Sequence, residues 1–484
     1  MCIRDRSYGF WLSFGAVAVL LYALGRRLAP ARTVLRWGRA QWAVAVGLLP
    51  MLLLFFGRAS LVAPLVNLIA VPLFGLLLPL VLLGALAALV SGWQWPLAPA
   101  LWFLDQGYRL LAWVADWPLA AMTLGGRAFL VWTLAFAGAS LLLAPRGLPA
   151  RWLGLVLLLP LAVARPPAPA PGDAHLTLLD VGQGLSVVVR TAHHALVYDL
   201  GPRYPSGFET GSTVVVPYLR EVGVQRLDRV IISHADRDHS GGLHGLLDAM
   251  PVDRLFSGEP SALAKPGQSD LGRSSHLVAE HCHSGQRWHW DGVDFEILHP
   301  HHRPNPRPGD GLADGQWTGN DASCVLRIAS GGASALLTGD IGSAVESRLV
   351  QTLGARLAAD VLVAAHHGST TSSSAAFLQA VDPDWVLYSS GFANRFGFPA
   401  AEVHARVTAL GARTANTADS GALRLVLPAA GPVQAPVRWR AADAHIWRHR
   451  PRPNPLPEPT PADVSAPTPP ESAAELVSRA VEAN

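Results

Sequence analysis

Five stretches, residues 10–24, 41–56, 61–90, 128–144 and 152–164, contain not one charged side chain between them. A helix covers the hydrocarbon core of a bilayer with about 20 mostly apolar residues, and several of these stretches meet or approach that length. Residues 1–164 hold twelve arginines, three aspartates, no glutamate and no histidine, a balance of +9. The remaining 26 basic and 32 acidic side chains, a balance of −6, and all 18 histidines lie in residues 165–484. Only 15% of the whole chain is charged, against about a quarter in soluble domains, which excludes a wholly soluble protein. The chain is therefore read as two parts built for two solvents.

Residues 1–164 read as a polytopic helical membrane segment. Pro64, Pro72 and Pro79 interrupt residues 61–90, which fits either a kinked span or a re-entrant pair. Ten of the 16 tryptophans lie in this part, several near segment ends, as interfacial anchoring requires. Residues 101–117 carry Asp105, Arg109 and Asp116 among aromatic and aliphatic residues and read as an amphipathic interfacial helix. Arg26, Arg27, Arg32, Arg36 and Arg39 form a basic loop that faces the cytoplasm, and Arg146 and Arg151 point the same way. A crossing at 152–164 then places the second part outside the cytoplasm.

Residues 165–174 (RPPAPAPGDA) form a Pro/Ala linker, and residues 446–484 a Pro-rich tail whose composition predicts disorder. Between them, residues 175–445 read as an α/β domain. Strands are expected at 176–181, 185–190, 195–200, 229–233, 295–298, 323–329, 333–338, 361–365 and 385–389, and helices at 213–222, 343–354, 373–381 and 400–410. Many strands with fewer helices imply packed sheets covered by helices. Cys2, Cys282 and Cys324 are too few and too scattered for a disulfide framework or a thiolate zinc site.

Chemistry concentrates at strand ends. Directly after the apolar run VIIS come His234, Asp236, Asp238 and His239, then a Gly-Gly pair. Four potential ligands within six residues let one turn surround two adjacent ions, and imidazole with carboxylate suits Zn²⁺ or Mn²⁺, with Mg²⁺ possible at an oxygen-rich site. The run ALLTGD ends in Asp340, placed to bridge two metals, and VLVAAHHGS ends in His366 and His367. A pair of divalent ions acidifies a bound water and stabilises an in-line displacement.

The order HxDxDH–GG, TGD, HHGS resembles the metallo-β-lactamase fold, an αββα sandwich. With LDVGQG (179–184), VYDLG (197–201) and APLVNLIAVPL (63–73) ahead of it, the chain from about residue 8 to 445 resembles the ComEC family of DNA-internalisation competence proteins. The resemblance implies metal ligation by His234, Asp236, Asp238, His239, Asp340 and either His367 or His366, with a metal-bound water beside Asp238 as nucleophile. Asp180 and Asp199 match positions that orient ligands or their loop. Asn320 and Asp321 stand where related enzymes often carry another His, and Phe398 precedes Pro399 where a His is common. The family implies uptake of single-stranded DNA across the cell inner membrane in natural transformation, with a metal-dependent nuclease domain that degrades the strand not imported. Family members carry a further N-terminal soluble region and more helices. The chain is accordingly expected to be the family's C-terminal part, its first seven residues not native.

Expected partners are DNA, membrane lipids, other competence-machinery proteins including a separate ATP-driven motor, and further copies of the chain, since no GK[ST] phosphate loop is present. The −6 balance argues against a broad phosphate-binding face; Arg190, Arg203, Arg237 and Arg395 offer a local basic path, and Phe392, Phe396 and Phe398 offer stacking partners. Two alternatives stand beside this reading: a membrane-tethered metallohydrolase of a small ester or lactone, and a channel whose soluble domain is a catalytically decayed scaffold.

Overall fold

The computed structural model describes residues 8–442 except 26–32, 93–94, 118–119, 121, 124–126, 146, 264–276 and 302–316. Arg26, Arg27, Arg32, Arg146, the first seven residues and the Pro-rich tail lie outside the described residues.

The apolar stretches fold as helices: α1 (Tyr8–Leu24), α2 (Thr33–Phe56), α3 (Ala63–Ser91), α4 (Ala98–Ala115), α5 (Phe129–Leu143) and α6 (Leu153–Val163). Two of them, α2 and α3, are long and apolar enough to cross a membrane. Of the two forms open for residues 61–90 the structure takes the continuous one, with Pro64 in the first turn, where its missing N–H costs nothing, and Pro72 and Pro79 inside. Leu76, Leu83, Leu86 and Leu89 stand exposed along it, a surface suited to hydrocarbon rather than water. A two-residue pairing of β1 (Arg58–Ala59) with β2 (Met122–Thr123) ties the start of α3 to the segment after α4, so α4 runs back along α3. Helices α5 and α6 meet backbone to backbone: a Cβ on Gly138 would lie 2.7 Å from Gly154 O, and one on Gly154 2.5 Å from Gly138 O.

The linker is held against the domain it introduces. Arg190 Nη2 donates to Pro167 O (3.1 Å), and Gly172 N donates to Asp291 O (2.7 Å).

The α/β domain is built on two sheets. The first orders β17 (Val437–Arg438), β16 (Leu423–Leu427), β3 (Ala174–Leu178), β4 (Val187–Arg190), β5 (Ala195–Tyr198), β6 (Leu227–Ile232), β7 (Val252–Ser257) and β8 (Ala279–His281). The second orders β15 (Arg413–Asn416), β14 (Trp385–Tyr388), β13 (Val361–Val363), β12 (Ser334–Leu337), β11 (Val325–Ala329), β10 (Val293–His299) and β9 (Arg287–Trp290). Strands β5 to β8 run parallel, as do β12 to β15.

Alternation decides the layers. Val187 and Val189 face the second sheet's Phe295, Leu326 and Val363, while Val188 between them faces α7 (Val216–Glu221) and α9 (Leu243–Ala249), α8 (Arg237–Ser240) lying just ahead of α9. On the far side, Leu336, Leu362 and Val386 pack under α10 (Ser343–Leu353), α11 (Ala375–Val381) and α12 (Ala401–Ala409). The result is the expected αββα sandwich. The expected helix at 213–222 begins with a π turn at Gly211–Val215 before α7.

The cysteines depart from expectation. Cys282, at the end of β8, and Cys324, just before β11, form a disulfide across 42 residues, joining the two sheets. Distance along the chain does not measure distance between sheet edges, and the sandwich closes it.

Candidate metal centre

Parallel pairing sends β5 and β6 in one direction, and β12 to β14 in one direction, so each set delivers its carboxyl ends together. Asp199 follows β5, Ser233 and His234 follow β6, Asp340 follows β12, and His366 and His367 follow β13. Asp238 and His239 sit on the one-turn α8. The chain passes this point tightly: Leu185 N donates to Asp238 O (3.1 Å), and at Gly184 (φ +149°) a Cβ would lie 2.4 Å from that same oxygen.

Buried Asp199, itself left-handed (φ 58°), organises the two neighbouring rings. It accepts from Ser233 N (2.6 Å), from the Ser233 hydroxyl (2.7 Å) and from His239 Nδ1 (2.8 Å). The serine has one hydrogen and spends it on Asp199, so toward His234 Nδ1 at 3.0 Å it accepts. Both rings therefore carry a proton on Nδ1 and turn Nε2 inward, where a cation, or on His239 a second proton, can take it. Ser323 Oγ, 3.3 Å from His234 Nδ1, also takes the N–H of Asp340 at 3.0 Å and fixes where that carboxylate starts.

The inward atoms converge. Asp238, His239, Asp340 and His367 offer ligand atoms all within 4.8 Å of one another. His239 Nε2 stands 3.2 Å from Asp340 Oδ1, and His367 Nε2 stands 3.4 Å from Asp238 Oδ2 and 3.6 Å from Asp340 Oδ2. Beside this group His234 Nε2 faces Asp236 Oδ2 at 3.5 Å, the two histidine rings 4.3 Å apart. Among the described residues, Nε2 of His234, His239 and His367 and Oδ1 of Asp340 are buried without a hydrogen bond. Such orphaned acceptors are costly unless a cation completes them, so the donor set fits a divalent ion.

The charge state agrees. Burial presses the His239 imidazolium down, but Asp340, Asp199 and Asp238 raise its pKa well above the usual value. Burial likewise works against ionised Asp238, yet His239, and His367 close beside it, hold it down at about 2. Asp340 is held well below the ordinary range, burial being outweighed by His239 and His367. A pocket that pulls a proton onto imidazole this way holds a metal cation by the same field.

Of the two alternatives for the late ligand, His367 is the buried one in the cluster. His366 is part-exposed, its Nδ1 beside Thr371 Oγ1 (3.1 Å) and its Nε2 3.8 Å from Asp340 Oδ2. Both adopt left-handed backbone (φ 51° and 56°), which turns successive side chains to one side. Asp321 turns away from the cluster and accepts from Gly342 N (3.1 Å), steadying the Asp340 loop, while Asn320 offers its carbonyl to Ser323 N (3.1 Å). Asp180 is placed outside the cluster as well. It pairs with Arg440 at 2.6 Å and receives Gly182 N at 3.4 Å, burial raising its pKa against that cation.

Phe398, directly before Pro399, has its ring 6.4 Å from that of His367 and 6.0 Å from that of His366. Phe396 stacks on it at 5.5 Å, and the Arg395 guanidinium sits 4.8 Å over Phe396. A file of rings thus leads from the buried histidine to solvent, where Phe392 and Phe396 are half exposed. The positioning serines, Ser233 and Ser323, were not singled out from the sequence; the only signal was a serine directly ahead of the HxDxDH run.

Two family models match the chain: Competence protein over residues 6–149 and Metallo-beta-lactamase superfamily over residues 179–391. "Competence protein ComA" of Neisseria gonorrhoeae is 40% identical over 426 residues, 87% of this chain and 56% of that protein. "Uncharacterized protein YcaI" of Escherichia coli is 30% identical over 430 residues, 86% of this chain and 52% of that protein. "Recombination protein 2" of Haemophilus influenzae is 35% identical over 247 residues, 51% of this chain and 28% of that protein. The chain spans about half the length, or less, of these relatives.

Proposed function

On the premise that the chain belongs to the competence-protein family, with a metallo-β-lactamase-superfamily domain behind its helices, we propose that it takes up single-stranded DNA across the inner membrane in natural transformation, the α/β domain being a metal-dependent phosphodiesterase for the strand left outside. The observation that carries this is the convergence of bare Nε2 and carboxylate atoms from the ends of β6, β12 and β13, together with the turn that carries Asp238 and His239. His234, Asp236, Asp238, His239, Asp340 and His367 would hold Zn²⁺ or Mn²⁺, with Mg²⁺ a third candidate, which would supply Lewis acidity toward a phosphodiester. Asp199, directly for His239 and through Ser233 for His234, keeps both rings in the tautomer such a site needs. Asp238 is ionised at neutral pH and open to solvent on one side, so it would accept a hydrogen bond from an attacking water and orient it. Phe396 and Phe392 offer faces for bases, and Arg395 a cation for the backbone.

Membrane crossing is multi-pass in this proposal, with the α/β domain outside the cytoplasm. Arg39 and Arg151 line one cavity at the end of the helices away from that domain, which supports a cytoplasmic position for that end. The Cys282–Cys324 disulfide supports the same orientation, since disulfides persist in oxidising compartments. An ATP-driven motor and other competence proteins would act as separate chains.

The test is cleavage by the full chain in detergent, stripped of metal and reloaded with Mn²⁺, Zn²⁺ or Mg²⁺, against labelled single-stranded DNA and bis(p-nitrophenyl) phosphate. Both are expected to be cut with Mn²⁺ or Zn²⁺. A folded, metal-loaded protein inert toward both overturns the nuclease reading. Thiol labelling of intact cells that needs no reduction at Cys282 and Cys324 overturns the orientation.

A further inference from the structure

A second unfinished site lies at the opposite end of the α/β domain. A cavity of about 820 Å³ opens where the helices meet that domain. Its wall carries Arg127, Arg165, Arg190, Arg220 and Arg226 with one carboxylate, Asp228, which accepts from Ala195 N–H at 2.9 Å; behind the wall Arg226 pairs with Asp253 and Arg127 faces Glu221, so the positive excess rests on Arg165, Arg190 and Arg220. Arg190 and Arg220 are part-buried, each donating to a backbone carbonyl, Pro167 O at 3.1 Å and Ala249 O at 3.0 Å. Burial lowers the pKa of both, and a neighbouring cation, Arg424 for one and Arg58 for the other, lowers it further. Guanidiniums of one sign gathered at a half-dry seam repel unless an anion closes them, and their forked donors match phosphate oxygens.

Depth and lining identify the anion. Arg127 precedes α5 by two residues, and Arg165 follows α6 by two, so both sit where apolar helix gives way to polar chain. That is the level of lipid phosphates in a bilayer. Ala162, Val163 and Ala164 continue the same wall with apolar surface, as an amphiphile requires and a polar strand does not. The cavity also touches the start of β6, at Arg226 and Asp228, while the metal-centre turn begins at its end, about 20 Å away. We propose that this cavity binds the headgroup of an anionic phospholipid, its phosphate on the arginines and its first acyl carbons along the end of α6. The site is independent of the hydrolytic reading.

The test uses the full, metal-loaded chain in detergent and native mass spectrometry with dioleoylphosphatidylglycerol. Dioleoylphosphatidylcholine, inorganic phosphate and a short oligodeoxynucleotide serve as comparison and competitors. Phosphatidylglycerol is expected to be retained over phosphatidylcholine. Arg165→Gln, at an exposed linker position, weakens retention about fivefold, and Arg127→Gln with Arg220→Gln about 25-fold. Arg36→Gln, at the other end of the helices, leaves it unchanged, with circular dichroism and metal content constant throughout. Equal retention of phosphatidylcholine, or undiminished retention by both arginine variants, overturns the proposal. Displacement by the oligonucleotide reassigns the cavity to nucleic acid, and full displacement by inorganic phosphate reassigns it to a soluble anion; either overturns it.

Discussion

At its carboxyl end β6 hands Ser233 and His234 to a cluster rich in carboxylate and bare ring nitrogen; at its amino end Arg226 opens onto a cavity rich in guanidinium. Both ends hold like charge in partly dry surroundings. One suits a cation and the other an anion. The balance of −6 over residues 165–484 conceals this, because the two groups are held a strand's length apart where they cannot cancel. Each can therefore be tested by a change that leaves the other alone.

The sharpest such change is Asp340→Ala. It removes the carboxylate that both His239 and His367 face, and bound metal and phosphodiester cleavage should fall by more than about 100-fold while phospholipid retention stays. Metal analysis and native mass spectrometry on one preparation check both, and a joint loss breaks the separation of the ends. Asp199→Asn should act more gently, lowering metal affinity by about 10- to 100-fold, since Ser233 and His239 lose the acceptor that sets their protons. Isothermal titration with Zn²⁺ reads this; unchanged affinity would show that the rings are oriented by packing alone.

Phe396→Ala touches the exposed ring and not the cluster. Affinity for single-stranded DNA should weaken about five- to tenfold, with bis(p-nitrophenyl) phosphate turnover unchanged. Fluorescence anisotropy and a colorimetric assay separate the two. At the cavity end the smallest effect is expected from Asp291→Asn. Burial would raise this carboxyl, but Thr191 (2.6 Å), His193 and His194 hydrogen-bond it and hold it well below the ordinary range. A depressed carboxyl stabilises fully above its unfolded value, about 3.9, and loses that contribution as pH falls through the folded one. Acidification below about pH 4 should therefore cost the native protein stability that the variant never had. Parallel denaturation curves for the two would dismiss the clamp.

The residue cluster proposed as a metal centre was largely legible in the sequence because its members follow apolar strands, and such ends must gather once the strands pair in parallel. His234, Asp238, His239 and Asp340 could be named for that reason. The choice between His366 and His367 could not, since it depends on two successive left-handed residues. In the α/β domain, strands β7, β8, β9, β15, β16 and β17 went unnamed: β8, β15 and β17 lie at sheet edges with part-exposed or exposed residues, and RWHW in β9 hides its period behind aromatic bulk. The disulfide and the arginine cavity were invisible for a shared reason. Both depend on which edges and helix ends the closed fold sets side by side, and no local pattern records that.

The glycine contact between α5 and α6 has a mechanical consequence. With no side chain to act as a cushion between Gly138 and Gly154, the pair behaves as one stiff post. The linker that leaves it is fastened at Pro167 and Gly172 rather than swinging loose. Any tilt of the α/β domain, such as a strand tugging at the aromatic file would impose, is thereby levered into the helices instead of being absorbed by slack chain.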